Sequence, residues 1–142
     1  MRKLDIKKQA EGVGRQCVAS RLRKLSRLVN GIYNAELTAA GLTISQFNIL
    51  TALAKLQPTT PAQISRVLRL EKSSLSRNLE LMRRNGWIET EGDVRISQLS
   101  ISAKGERAYA RALPGWERAQ DKCQKILGPE IAEKLQAAAE AF

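Results

Sequence analysis

Ser73, Ser74, Ser76 and Arg77 concentrate polar chemistry within five consecutive positions of this 142-residue chain. A hydroxyl both donates and accepts, so each serine can bond a phosphate oxygen or either kind of base edge. Arg77 carries a flat guanidinium long enough to meet the paired acceptors of a guanine. Arg95 lies between two strand-like stretches beside Gly92 and Asp93, where the tip of a hairpin can enter a minor groove. A solvated turn residue, held by Asp93 through a charge-assisted bond, is the other reading of Arg95. Ser73 alone also suits a plain helix N-cap. The chain has two thiols, Cys17 and Cys123. Arg15 and Arg21 flank Cys17 in sequence, and a nearby cation favours the thiolate. A small buried hydrophobe is the alternative at both cysteines.

Other chemistries lack their residues. The chain contains no histidine, which removes histidine acid–base catalysis, and two cysteines without histidine make no structural zinc set. No Gly-rich phosphate loop is present, and nothing pairs a nucleophile with a base, so neither an enzyme nor a cofactor or metal is expected. The 24 Lys and Arg against 14 Asp and Glu give a net charge of +10 and a pI near 10.1. Such a chain seeks a polyanion. Nucleic acid comes before membrane, because no apolar run approaches the roughly 18 residues of a spanning helix. Met1 to Gln9 is charged and has no apolar signal core, so a cytoplasmic location is expected.

The polar cluster must be held by helices, and their signals are explicit. Thr43-Ile44-Ser45-Gln46 and Thr60-Pro61-Ala62-Gln63 each place a Thr cap three residues before a Gln, the pattern of a capping box. Pro61 stands at the first helical position, where its missing N–H costs nothing. A turn at Arg69-Leu70-Glu71 leads to a third helix from about Ser73 to about Gly86. Within it Leu75, Leu79 and Met82 must pack inward, which leaves Ser73, Ser74, Ser76, Arg77 and Glu80 on the flanks and the outer face. Trp87 to Thr90 and Ile96 to Ile101 then read as two short strands. This order is that of a winged helix-turn-helix, an architecture that usually reads DNA.

Around that unit the periodicity predicts more helix. Val18, Leu22, Leu25, Leu28, Val29, Ile32 and Leu37 define one long amphipathic helix from Val13 to about Ala40, stopped by Gly41, after a polar arm at residues 1–11 that is frayed or weakly helical. On the second helix Ile44, Phe47, Leu50, Leu53 and Ala54 form the inner face; on the next, Ile64, Val67 and Leu68. Ser102 caps a late helix that Pro114-Gly115 should kink or divide, and a last Ala-rich helix follows Gly128-Pro129. The expectation is a mainly α fold with a small β-hairpin wing, one domain over 1–142. Its reading core is 42–102, and 1–41 and 103–142 supply dimerisation helices whose apolar surface calls for a second copy. Charge agrees: residues 66–84 hold six bases against two acids, and residues 1–41 hold nine against three.

The stretches Leu42 to Phe47, Ser73 to Leu79, Asn85-Gly86-Trp87-Ile88, Asp93-Val94-Arg95 and Leu99 to Gly105, with Leu113-Pro114-Gly115-Trp116, resemble the MarR family of bacterial transcription regulators in order and spacing. The resemblance covers nearly the whole chain. It implies a homodimer on a pseudo-palindromic operator of double-stranded DNA, repression of a nearby gene, and release by a small, often aromatic ligand or an oxidant. It places Ser73, Ser74, Ser76 and Arg77 in the major groove and Arg95 in the wing. The chain departs from the family pattern in two respects. Gly92 and Val94 stand where a second wing arginine is usual, and Arg69 stands where the turn often has Gly, which would add a phosphate contact. In the organic-hydroperoxide-sensing branch a cysteine near the start of the first helix is the peroxidatic thiol, sometimes resolved by a late-helix cysteine of the other subunit. Cys17 and Cys123 resemble that spacing. A sequence-neutral architectural DNA binder is the rival reading. A regulator should prefer its palindrome over bulk DNA by about 10³ or more, and an architectural protein should not.

Overall fold

The computed structural model describes residues 5–92 and 97–142. In chain order they form α1 (Ile6–Gln16), α2 (Val18–Leu37), a 3-10 turn (Thr38–Ala40), α3 (Ile44–Leu56), α4 (Pro61–Leu68), α5 (Lys72–Arg84), β1 (Ile88–Glu91), β2 (Gln98–Ile101), α6 (Ala103–Leu127) and α7 (Pro129–Glu140). Among the described residues no single helix is long and apolar enough to cross a membrane.

The start of the chain differs from the sequence expectation. Helix begins at Ile6, where the Asp5 carboxylate accepts from the Lys8 N–H at 3.1 Å, and breaks at Cys17, whose ψ of 107° is extended. The Arg21 side chain explains how the break is tolerated. Its Nε donates to the Arg15 carbonyl at 2.9 Å, satisfying an acceptor that a continuous helix would have paired with its own backbone. One long helix is therefore two, with Cys17 between them.

Both Thr–Gln capping boxes form, at the starts of α3 and α4, with the reciprocal bonds at 3.0–3.2 Å. Each is worth about 1 kcal/mol, enough to fix where these short helices begin. Gly41 ends the 3-10 turn in the left-handed region (φ 74°), as its position in the sequence requires. Asn34 Oδ1 then accepts from the Ile44 N–H at 2.8 Å, tying α2 to the start of α3.

α3 is the hub of the core. It packs on α2, α4, α5, α6 and β2, so two of its sides are covered. That is why Ile49 and Ala52 are buried beside Phe47, Leu50 and Leu53, while Ala54, expected inside, is exposed. On α4 Ile64 is fully buried and Leu68 half-buried, but Val67 faces solvent. The strands pair antiparallel from Ile88 opposite Ile101 to Glu91 opposite Gln98, and each begins or ends within two residues of its sequence assignment. Thr59 adds a further bridge, exchanging backbone bonds with Leu99 at 3.1 and 2.7 Å.

α6 is one element through Pro114 rather than two. Pro114 sits on its exposed side, and Ala112 and Gly115 on the adjacent side are buried. Packing of those small residues against α2 outweighs the single backbone bond the proline removes. Two glycines permit the close approaches. A Cβ on Gly115 would lie 2.5 Å from the Glu36 carbonyl oxygen, and one on Gly105 would lie 2.1 Å from that of Trp87. Gly105→Ala should thus lower the melting temperature, at a cost of about 1–3 kcal/mol. Gly31→Ala, where nothing stands within 4 Å, should be neutral or stabilising by up to about 1 kcal/mol. Thermal melts followed by circular dichroism check the pair.

Candidate nucleic-acid interface

α5 is held by its apolar side. Leu75 and Leu79 are 3% exposed and Met82 is fully buried, each contributing about 1.5–3 kcal/mol on burial. Helical geometry then turns Ser73, Ser76 and Arg77 outward, and all three are exposed. Ser74 is half-buried, and its carbonyl accepts from Asn78 Nδ2 at 3.1 Å. Ser73 is not the cap. That position belongs to Glu71, whose side chain makes no capping bond, and Ser73 is the second residue of the helix. The far end of α5 is braced instead. Arg83 Nε donates to Thr90 Oγ1 at 3.1 Å, and Arg84 pairs with Glu80 at 2.9 Å.

Arg69 ends α4 in the left-handed region (φ 50°, ψ 42°), a conformation that costs a non-glycine residue about 1–2 kcal/mol. Ser65 holds the turn: its carbonyl accepts from the Leu70 N–H at 3.1 Å, and its hydroxyl donates to the Leu70 carbonyl at 2.7 Å. The Arg69 guanidinium donates to the Phe142 carbonyl at 3.1 Å and lies 6.0 Å from the centre of that ring. Arg69 is thus engaged within the chain, a contact that residue spacing gave no means to find. Between α4 and α5 lies a hollow of about 280 Å³ with Lys72, Ser76 and Arg83 at its edge. Lys72 and Arg83 were legible only as part of the basic run at 66–84. Arg95, with Asp93 and Val94, lies outside the described residues.

Where α6 meets the reading unit, three aromatic rings stack. Phe47 of α3 lies 4.7 Å from Tyr109, nearly parallel, and 6.3 Å from Trp116. The Tyr109 hydroxyl is 3.2 Å from Thr51 Oγ1. On α2, Glu36 accepts from Arg118 Nε at 2.7 Å and also contacts Lys122. These two hydrogen bonds, Lys122 first, hold its carboxyl below the usual carboxylate range. Tyr33 donates to Gln120 beside Cys123, and its hydroxyl pKa is raised by burial and, secondarily, by that thiol.

The structure separates the cysteines by environment. Cys17 is half-exposed at the break between α1 and α2. Cys123 is a core residue 5% exposed, and burial raises its thiol pKa above the ordinary 9.0. For Cys123 the reading as a small buried hydrophobe therefore holds.

The architecture and the outward polar face of α5 define a winged helix-turn-helix protein. Residues 40–95 match the sequence model of the MarR family. An uncharacterized HTH-type transcriptional regulator of Bacillus cereus is 29% identical over 94 residues, 66% of this chain; the match spans 64% of that relative, short of two thirds of its length. The M. tuberculosis transcriptional regulator MosR superposes with a TM-score of 0.76 at 28% identity, covering 89% of this chain and 98% of MosR. Its structure in complex with DNA gives 0.75 at 25%, covering 89% and 97%. Bordetella bronchiseptica BpsR, whose DNA binding is regulated by 6-hydroxynicotinic acid, shares the fold alone, with a TM-score of 0.78 at 14% identity over 89% and 93% of the two chains. Over residues 40–95 in sequence, and along most of its length in fold, the chain is similar to transcriptional regulators of the MarR family.

The burial difference gives a direct test. At pH 7.5 iodoacetamide should label Cys17 well before Cys123, and labelling of Cys123 should speed up as the pH is raised, because burial and a raised pKa leave less accessible thiolate at neutral pH. Peptide mass mapping over time reads both rates.

Proposed function

We propose that the protein acts as a homodimer that reads a pseudo-palindromic operator, represses the gene beside it, and is released by a small aromatic ligand or by thiol oxidation. The observation that carries DNA reading is the outward face of α5. Ser73, Ser76 and Arg77 stand exposed in its first two turns over a fully packed apolar side. In this reading Arg77 pairs with a guanine, Ser73, Ser74 and Ser76 bond phosphates or base edges, and Arg95 enters the minor groove from the wing. A phosphate at Arg69 replaces the carbonyl of Phe142 as its acceptor.

The dimer is supported by apolar residues that the single chain leaves in solvent. Val18 is 69% exposed and Leu22 52%, with Ile126, Ile131 and Leu135 exposed on α6 and α7. Spread along the outer helices, these residues form a surface that a second copy covers, and two reading helices about one DNA turn apart, roughly 34–36 Å, follow from the symmetry. An aromatic effector is the family expectation, and the stacked rings of Phe47, Tyr109 and Trp116 place aromatic surface at the junction of α6 and the reading unit. Release by oxidation is supported by the half-exposure of Cys17 at the start of α2.

Fluorescence anisotropy against the DNA upstream of the protein's own gene, with a scrambled duplex in parallel at fixed salt, tests the reading. The wild type should prefer the upstream fragment by about 10³. Arg77→Ala should remove at least tenfold of that preference, a bidentate base contact being worth about 1–3 kcal/mol, without changing the melting temperature. Equal affinity of the wild type for both duplexes would favour the architectural role instead. A mild organic hydroperoxide should weaken binding of the wild type and leave Cys17→Ser unaffected; equal loss in both variants removes Cys17 from the release step.

A further inference from the structure

Along α6 the bases and the acids occupy different sides. Lys104, Arg107, Arg111, Arg118, Lys122 and Lys125 recur at spacings of three and four, with Pro114 filling the one gap in the series. Helical geometry gathers them into an arc of about 60° and a row about 30 Å long. Glu106, Glu117 and Asp121 fall outside that arc, and Ala108, Ala112, Gly115 and Ala119 make a third, buried strip. An ordinary solvated helix face mixes signs, because like charges one turn apart repel. Lys104 also sits in the first turn, where the helix dipole disfavours a cation. Local stability does not explain the row.

Half of the row already holds carboxylates. Glu36 bridges Arg118 and Lys122, and Asp121 pairs with Lys125 at 2.7 Å. Among the described residues no carboxylate pairs with Lys104, Arg107 or Arg111, and all three are exposed. Beside them, between the end of α2 and α6, lies a hollow of about 310 Å³ lined by Ala39, Ala40, Ala112, Arg111 and Arg118, with Glu36 already held by Arg118 and Lys122 on its α2 side.

We propose that this row is a docking surface for an acidic segment of another protein, whose carboxylates pair with Lys104, Arg107 and Arg111 as Glu36 pairs with Arg118 and Lys122. DNA is the other polyanion to weigh, and the position of the row disfavours it. The reading residues occupy the first two turns of α5, whereas the row starts at the other end. There the Lys104 Cδ stands 3.4 Å from where a Gly86 Cβ would be, and the row climbs from that point along the α2–α6 pair. The surface lets the regulator hold an acidic protein while its reading face is on DNA.

The test uses the full-length protein and a fluorescein-labelled 20-residue peptide of Glu and Ala with Glu at every third or fourth position. Wild-type protein should bind it, and an excess of a non-operator duplex should not compete. Arg107→Gln with Arg111→Gln should weaken peptide binding at least tenfold, while Lys7→Gln with Lys8→Gln, which removes the same charge elsewhere, should weaken it less than twofold. Arg107→Lys with Arg111→Lys should retain binding within about threefold, and melting temperatures establish that each variant is folded. Three results would overturn the proposal: no binding by the wild type, equal loss in both glutamine pairs, or competition by the duplex together with a matching loss of duplex affinity in the Arg107–Arg111 pair. Affinity for the upstream fragment, measured alongside, separates this outcome from any failure of the operator reading.

Discussion

The burial of Leu75, Leu79 and Met82 beneath α5 is the constraint on which the rest turns. A helix of 13 residues has little stability of its own in water, so its rotation about its axis is set by the side that packs. Three apolar residues at i, i+4 and i+7 leave one solution, and it faces Ser73, Ser76 and Arg77 outward. Everything around α5 serves that orientation. α3 supplies the floor, α4 the flank, and the bond from Arg83 to Thr90 ties the far end to the wing. The outward polar face follows from a packing requirement rather than from the polar residues themselves.

The same logic separates what the sequence disclosed from what it concealed. Capping boxes are local, three-residue devices, and both appeared where Thr43 and Thr60 announced them. Apolar periodicity located α5 and its buried side correctly. It misjudged α3, because a helix covered on two sides no longer has a single stripe: Ile49 and Ala52 are buried where one stripe was expected, and Ala54 is exposed; on the short α4 it also placed Val67 inside. Two departures from a plain reading of helix length, the break at Cys17 and the continuity through Pro114, came from non-local compensation. The Arg21 side chain makes the break at Cys17 tolerable, and the contact of α2 with Ala112 and Gly115 makes Pro114 tolerable within α6. Neither partner can be recognised from spacing alone.

The candidate interface was equally uneven. Arg77 and the exposed serines follow from local rules. The engagement of Arg69 with Phe142 and the buried site of Cys123 do not, since both depend on how distant segments return to one another. Segregation of charge on α6 is present in the sequence as a three–four repeat, but it acquires meaning only when the neighbouring helix shows which cations already have a carboxylate.

The joint between α2 and α3 has a mechanical consequence. Asn34, Gly41 and the short 3-10 turn bind the two helices into a stiff elbow, with Asn34 Oδ1 clamped on the Ile44 amide. α2 is therefore a lever about 30 Å long, and tilting it by one degree at the elbow moves its far end by about 0.5 Å. Leu22 and Leu25 ride on that far end. A sideways displacement of Leu22 or Leu25 is thus geometrically equivalent to a small rotation of α2 about its joint with α3.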